Sequence, residues 1–218
     1  LLVLIMCAFF GWADGLIISK LHIPPFVATL GTLGIAQGGA LLVTDGQSVV
    51  GIPSEILYFY SGEWMGMAMP FWIAIVACAV FHVLLSHTPW GNHVIALGGN
   101  REALTLAGIK ADWVLISVYV LSGVMCAIAA VLLTARISSG HPTAALGMEF
   151  DAIAAVALGG TSFEKGKGWL WGTVIGVLAV GVLRNGLNLM GVPSAIQVAA
   201  IGILVILALM VDGLRDKK

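Results

Sequence analysis

The chain has 218 residues, of which 60% are hydrophobic and 10% charged, with a formal net charge of −1 and a mean hydropathy of +1.05. A soluble domain of this length is nearer half apolar and a quarter charged, so this sequence lacks the charge to coat a water-facing surface. Composition therefore excludes an ordinary soluble fold, predicts an integral membrane protein and gives no nucleic-acid signal.

A membrane crossing needs about 20 mostly apolar residues. On that measure the sequence predicts about seven crossings, near 1–19, 26–44, 69–86, 113–134, 149–161, 169–189 and 194–212. The first opens as LLVLIMCAFFGWADG, with neither a start methionine nor a basic leader, and reads as the middle of a longer protein. Its Cys7, like Cys78 and Cys126 further on, stands alone in an apolar run and reads as a small core residue.

The second crossing begins at the pair Pro24–Pro25, tolerated in a first helical turn because the missing N–H has no partner to lose. It carries Thr29, Thr32 and Gln37, and spaces Gly34 and Gly38 as GxxxG; Gly172 and Gly176 repeat that spacing later. In lipid, such small residues let helix backbones approach closely. The loop 45–68 mixes acids with Tyr58, Phe59, Tyr60 and Trp64, expected anchors at a membrane boundary, and predicts a short helix near 53–60.

After the third crossing comes LGGNREALTLAGIK at 97–110, polar and bounded by glycines. Asn100 can cap a helix through Arg101 to Ala107, and Gly108 can end it in a left-handed turn. Ala103, Leu104 and Ala107 form its apolar stripe, with Arg101 and Glu102 elsewhere. About two turns cannot stand alone, so the segment must dock on something.

The stretch GMEFDAIAAVALGGTS at 147–162 is short for a crossing, acidic at its start and closed by a glycine pair. It reads either as a short span or as a broken helix of the kind that needs cover from protein or a water cavity. Glu149 and Asp151 are two apart and share no helix face, so a paired acid–base role is not predicted. In the next crossing, Arg184 near the end can snorkel outward or face a polar interior; Asn185 and Asn188 add amides there, and Gln197 adds one in the last crossing.

Basic residues orient the bundle. The connections 20–25, 87–112 and 162–168 and the tail 213–218 hold Lys20, Arg101, Lys110, Lys165, Lys167, Arg215, Lys217 and Lys218, whereas the opposite connections hold only Arg136. The positive-inside rule then puts the C-terminus and the 97–110 segment in the cytoplasm, with Leu1 near the outer face.

No catalytic or metal constellation is read. GGTSFEKGKGW lacks the P-loop spacing, His87 and His93 lack ligand partners, and His22, His82 and His141 are scattered.

The blocks HIPPFVATLGTLGIAQGGALLVTDGQSV, ALGGNREALTLAGIK, ARISSGHPTAALGMEFDAIAAVALGGTSFEKGKG and GTVIGVLAVGVLRNGLNLMGVPSAIQ, with the closing VDGLRDKK, run in order along essentially the whole chain. They resemble the permease subunits of bacterial ribose-type monosaccharide ABC importers, relatives of the branched-chain amino-acid ABC permeases. The resemblance implies an all-α polytopic bundle of about ten spans, so about three, with the family's early block, would be missing from the N-terminal side. It implies that 1–218 is one transmembrane permease domain of the bacterial inner membrane. It also implies a second permease subunit, a periplasmic or lipid-anchored sugar-binding protein, and a cytoplasmic ABC ATPase that holds ATP and magnesium, this chain itself being no enzyme and binding no cofactor. The coupling helix facing that ATPase would map onto Gly99, Asn100, Arg101, Glu102, Ala103, Leu104, Ala107 and Gly108, with Arg101 and Glu102 at the polar rim. Thr29, Thr32, Gln37, Asn185, Asn188 and Gln197 would be candidates for the sugar pathway. A branched-chain amino-acid permease, a secondary carrier and a membrane-embedded enzyme using Asp151, Glu149 or a histidine stand as the alternatives.

Overall fold

The computed structural model describes residues 1–162 and 166–215; Lys165, Lys217 and Lys218, used above to orient the chain, lie outside the described residues. Ten helices appear among the described residues. They are α1 (Leu2–Leu21), α2 (Pro25–Thr44), α3 (Ser54–Ser61), α4 (Met69–His87), α5 (Pro89–Gly99), α6 (Arg101–Leu106), α7 (Ala111–Ile137), α8 (Met148–Leu158), α9 (Leu170–Leu189) and α10 (Ser194–Arg215). A minimal hairpin, β1 (Glu63–Trp64) and β2 (Met67–Ala68), lies between α3 and α4. The chain is an all-α polytopic membrane protein.

Every expected crossing coincides with a helix. Five of them, α1, α2, α4, α7 and α9, are long and apolar enough to span by themselves. The expected crossing at 149–161 is an 11-residue helix, α8. At 1.5 Å per residue it covers roughly half of a ~30 Å hydrocarbon core, as the broken-helix reading requires. The described apolar run of α10 is Ser194–Ala208.

The chain forms two compact units, residues 1–144 and residues from 145 on. In the first, α1 lies along α7, backbone against backbone. A Cβ placed on Gly11 would sit 2.2 Å from the Tyr119 carbonyl oxygen, and one on Gly123 2.2 Å from that of Cys7. Only glycine permits that approach. The helix α2 rests on α1 and has no buried residue of its own, so its apolar surface is left for lipid or another helix. The segment after α2 is tied back to the one after α7 by paired backbone hydrogen bonds between Val49 and Gly140, each 2.8 Å.

The 45–68 loop holds the expected short helix, α3, and a hairpin that the sequence did not lead us to expect. Its turn residues Met65 (φ 52°) and Gly66 (φ 77°) are both left-handed, as a tight two-residue hairpin turn needs. Trp72 on α4 donates its indole N–H to the Trp64 carbonyl at 3.0 Å and stacks edge-on against that ring.

In the second unit, α8 packs on α9 and α10 around Ala154, Ala155, Val180 and Ile201. Here the GxxxG spacing acts as expected: a Cβ on Gly172 would meet the Gly159 carbonyl oxygen at 2.1 Å, and one on Gly176 that of Ala155 at 1.9 Å. The matching pair Gly34 and Gly38 has nothing within 4 Å.

Candidate coupling helix and intramembrane polar sites

The polar segment at 97–110 folds as its local chemistry dictates. The side-chain oxygen of Asn100 accepts from the Ala103 N–H at 2.9 Å, which starts α6. Gly108, at φ 82°, ends it: its N–H bonds the Thr105 carbonyl and the Ile109 N–H reaches back to that of Leu104, the paired bonds of a Schellman cap. The preceding helix α5, which was not expected from the sequence, has the same kind of start. Thr88 accepts from the Gly91 N–H at 3.2 Å and Pro89 occupies the first turn. The Trp90 indole donates to Ser117 on α7 at 2.7 Å, so α5 is pinned to a long helix.

Two expectations about α6 change. Leu104, assigned to an exposed stripe, is 5% exposed, because α6 packs on α5 and α7 and one apolar residue must serve that contact. The outward apolar surface is Leu106, 90% exposed, flanked by exposed Ala103 and Ala107. Arg101, expected at the rim of a docking surface, is engaged within the chain. Its guanidinium donates to Asp112 of α7 at 2.6 Å and reaches the Ser19 carbonyl of α1 at 3.5 Å. Glu102 is exposed. An open depression of about 550 Å³ lies beside α6, lined by His22, Arg101, Glu102, Thr105 and Leu106.

The expected pathway residues divide. The Thr29 hydroxyl donates to the Pro25 carbonyl of its own helix at 3.0 Å. Gln37 is half-buried on α2 and Asn185 is exposed on α9. Gln197, 5% exposed, donates to Asn188 at 2.9 Å and to the Val192 carbonyl at 2.8 Å, and so joins α10 to α9. Thr32 donates to the carboxylate of Asp14.

Asp14 is a residue that sequence reasoning missed. It sits within α1, is 8% exposed, and is the buried acid of that apolar helix. Its signal was visible in WADG: a carboxylate two-thirds of the way along a crossing is costly and must be paired or functional. A second charged site joins α8 to α9, where Arg184 donates to Asp151. Of the two readings of Arg184, the structure takes the inward one, because Asp151 offers a counter-charge that an outward snorkel would forgo. The other Asp151 oxygen, Oδ1, is buried and has no hydrogen-bond partner. Glu149 faces elsewhere and accepts from the Gly147 N–H at 3.0 Å, closing the start of α8. Among the described residues, no group of three or more His, Cys, Asp or Glu side chains could hold a metal ion.

A family model described as branched-chain amino acid transport system / permease component matches residues 1–209. The chain is similar to the ribose import permease protein RbsC of Bacillus subtilis, 41% identical over 91% of this chain and 62% of that one. It is similar also to the RbsC protein of Haemophilus influenzae, 37% identical over 99% and 68%. The L-arabinose transport system permease protein AraH of Escherichia coli is 34% identical over 94% and 62%. The chain thus spans between 62% and 68% of the length of these relatives. No solved structure matches it.

Proposed function

Since the chain belongs to the family of branched-chain amino-acid transport system permease components, we propose that it is the membrane-spanning permease subunit of an ATP-driven, binding-protein-dependent importer of a monosaccharide. The observation that carries this reading is the identity of 34–41% with ribose and arabinose import permeases along more than nine-tenths of the chain. A second permease subunit would complete the pathway, a sugar-binding protein would deliver substrate from outside, and a cytoplasmic ABC ATPase would hold and hydrolyse ATP with magnesium. The chain itself would carry no catalytic residue.

The basic residues of the connection bearing α6 and of the C-terminal tail favour a cytoplasmic side for both, in a bacterial inner membrane. There α6 is suited to couple with the ATPase. It is capped at both ends, presents Leu106 and Glu102 outward, and is tied through Arg101 to α1 and α7. A push on Leu106 is then passed to two long helices instead of being absorbed by a floppy loop. Two states of the ATPase that hold α6 differently would bias the bundle between outward-facing and inward-facing forms.

The test is reconstitution of the full-length subunit with its neighbouring ATPase and binding protein in liposomes. ATP-dependent uptake of ribose or arabinose, stimulated by the loaded binding protein, is expected. Uptake of leucine in place of sugar would move the chain to the amino-acid branch. Sugar uptake without ATP would make it a secondary carrier and overturn the proposal.

A further inference from the structure

The depression beside α6 has two walls, which belong to different helices of the first unit. One is the end of α1, where His22 closes the helix at φ 53°. The other is α6, whose Arg101, Glu102, Thr105 and Leu106 share one face, opposite the buried Leu104. About 550 Å³ of open space lies between the walls. Arg101 ties them together, reaching the Ser19 carbonyl of α1 while it pairs with Asp112 of α7. We infer that this depression is part of the surface on which the ATPase docks, and that it receives a basic side chain of the ATPase, with the stem along Leu106 and the cationic head at Glu102. This rests on the coupling reading of α6, and it extends the docking surface from α6 to the end of α1.

The groups left over in the lining select the occupant. The charge of Arg101 is cancelled by Asp112. Glu102 is exposed, and among the described residues no side chain pairs with it. The formal charge left in the lining is therefore that of Glu102. The Thr105 hydroxyl donates to the Arg101 carbonyl at 2.9 Å, so its oxygen can still accept. The last carbonyls of a 20-residue helix carry the negative end of its dipole, and the end of α1 already draws the Arg101 guanidinium to the Ser19 carbonyl. Lys20 and Lys110, the other basic residues of this region of the sequence, stand outside the lining. A carboxylate or a lipid phosphate would be repelled by Glu102, whereas a lysine or arginine head meets acceptors. Leu106, 90% exposed, offers apolar surface that the methylene stem of such a side chain can cover. A side chain seated there touches α1 and α6 at once, so a shift of the ATPase acts on a membrane-spanning helix directly as well as through α6.

The experiment uses the full-length subunit, with Cys7, Cys78 and Cys126 changed to serine, reconstituted in liposomes with and without its neighbouring ATPase. Single reporters His22→Cys, Thr105→Cys and Leu106→Cys are labelled by a small methanethiosulfonate. The ATPase is expected to slow labelling several-fold at all three. Binding of the ATPase is measured separately: Glu102→Gln should raise its Kd by up to about fivefold, the range of an exposed ion pair. Glu102→Lys should raise it tenfold or more, since like charges then meet, and high salt should shrink both effects. Protection of Leu106→Cys with unchanged labelling of His22→Cys would confine docking to the crest of α6, and the inference fails. It fails also if Glu102→Lys binds the ATPase as tightly as wild type, since the occupant is then not cationic. Vesicles rich in phosphatidylglycerol that slow labelling of His22→Cys and Thr105→Cys equally well without the ATPase would make the occupant a lipid headgroup and overturn the inference, leaving the coupling reading of α6 in place. A wild-type subunit that binds no ATPase would sink both.

Discussion

One substitution should have opposite signs at two glycines that share a sequence motif. Gly176→Ala places a Cβ 1.9 Å from the Ala155 carbonyl oxygen, about 1.5 Å inside ordinary contact. The obstacle is helix backbone, so no side chain can swing away. Helices α8 and α9 must part, loosening the cluster of Ala154, Ala155, Val180 and Ile201. Over-packing of this kind costs about 1–3 kcal/mol. Gly34→Ala meets nothing within 4 Å, and its added methyl gains helix propensity worth up to about 1 kcal/mol. Thermal unfolding of the detergent-solubilised chain, followed by fluorescence-detected size exclusion, should therefore lower the midpoint for Gly176→Ala and leave or raise it for Gly34→Ala. Equal losses at both sites would refute the idea that close approach, and not the GxxxG spacing, decides the cost.

Asn100→Ala removes the cap on Ala103 N–H and should weaken the start of α6 by about 0.5–2 kcal/mol; hydrogen exchange should speed up at 101–104 and stay unchanged in α7. Leu106→Asp puts a charge on the 90% exposed residue of α6, so insertion should be normal while ATP hydrolysis and uptake separate; normal coupling would rule out docking through this face. Leu106→Cys should label with an impermeant reagent only from the cytoplasmic side, and labelling from outside would reverse the orientation drawn from the basic residues. Asp14→Ala should release Thr32 and loosen α2 from α1, seen as faster protease cleavage near Pro24–Pro25, whereas Asp14→Asn keeps an acceptor for Thr32 and should behave nearly as wild type.

What the sequence made legible was local. The ends of α6 could be read because Asn100 and Gly108 act on backbone groups three or four residues away. The helix α3 was legible from its run of boundary aromatics, and the shortness of α8 from the glycine pair that closes it. The cap of α5 was equally local, in TPWG, but a basic, His-containing connection hid it and made the stretch look like loop. Pairings across long stretches were not legible. Nothing in the spacing of Asp151 and Arg184 shows that α8 and α9 bring them together, nor that Arg101 turns back to Asp112 and the end of α1. Leu104 and Leu106 differ by two positions, and which of them faces inward is set by where α5 and α7 lie.

The charges inside the apolar helices bear on function more than on stability. A buried ion pair returns little net stability, since desolvating both groups offsets their attraction, and well-packed apolar residues would hold α8 to α9 at least as firmly. Glycine-mediated contact already does so a few residues away, at Gly172 and Gly176. The same holds in the first unit, where Gly11, Gly15 and Gly123 join α1 to α7 without help from Asp14. The α8–α9 contact therefore has an apolar mechanism of cohesion and, beside it, a carboxylate that this contact does not require, whereas Asp14 serves the separate contact of α2 with α1 through Thr32. In a membrane-spanning segment such groups have a natural use in meeting a polar solute. Asp14 is bonded by Thr32 and so joins α2 to α1, whereas Asp151 joins α8 to α9 through Arg184 with its second oxygen buried between the helices.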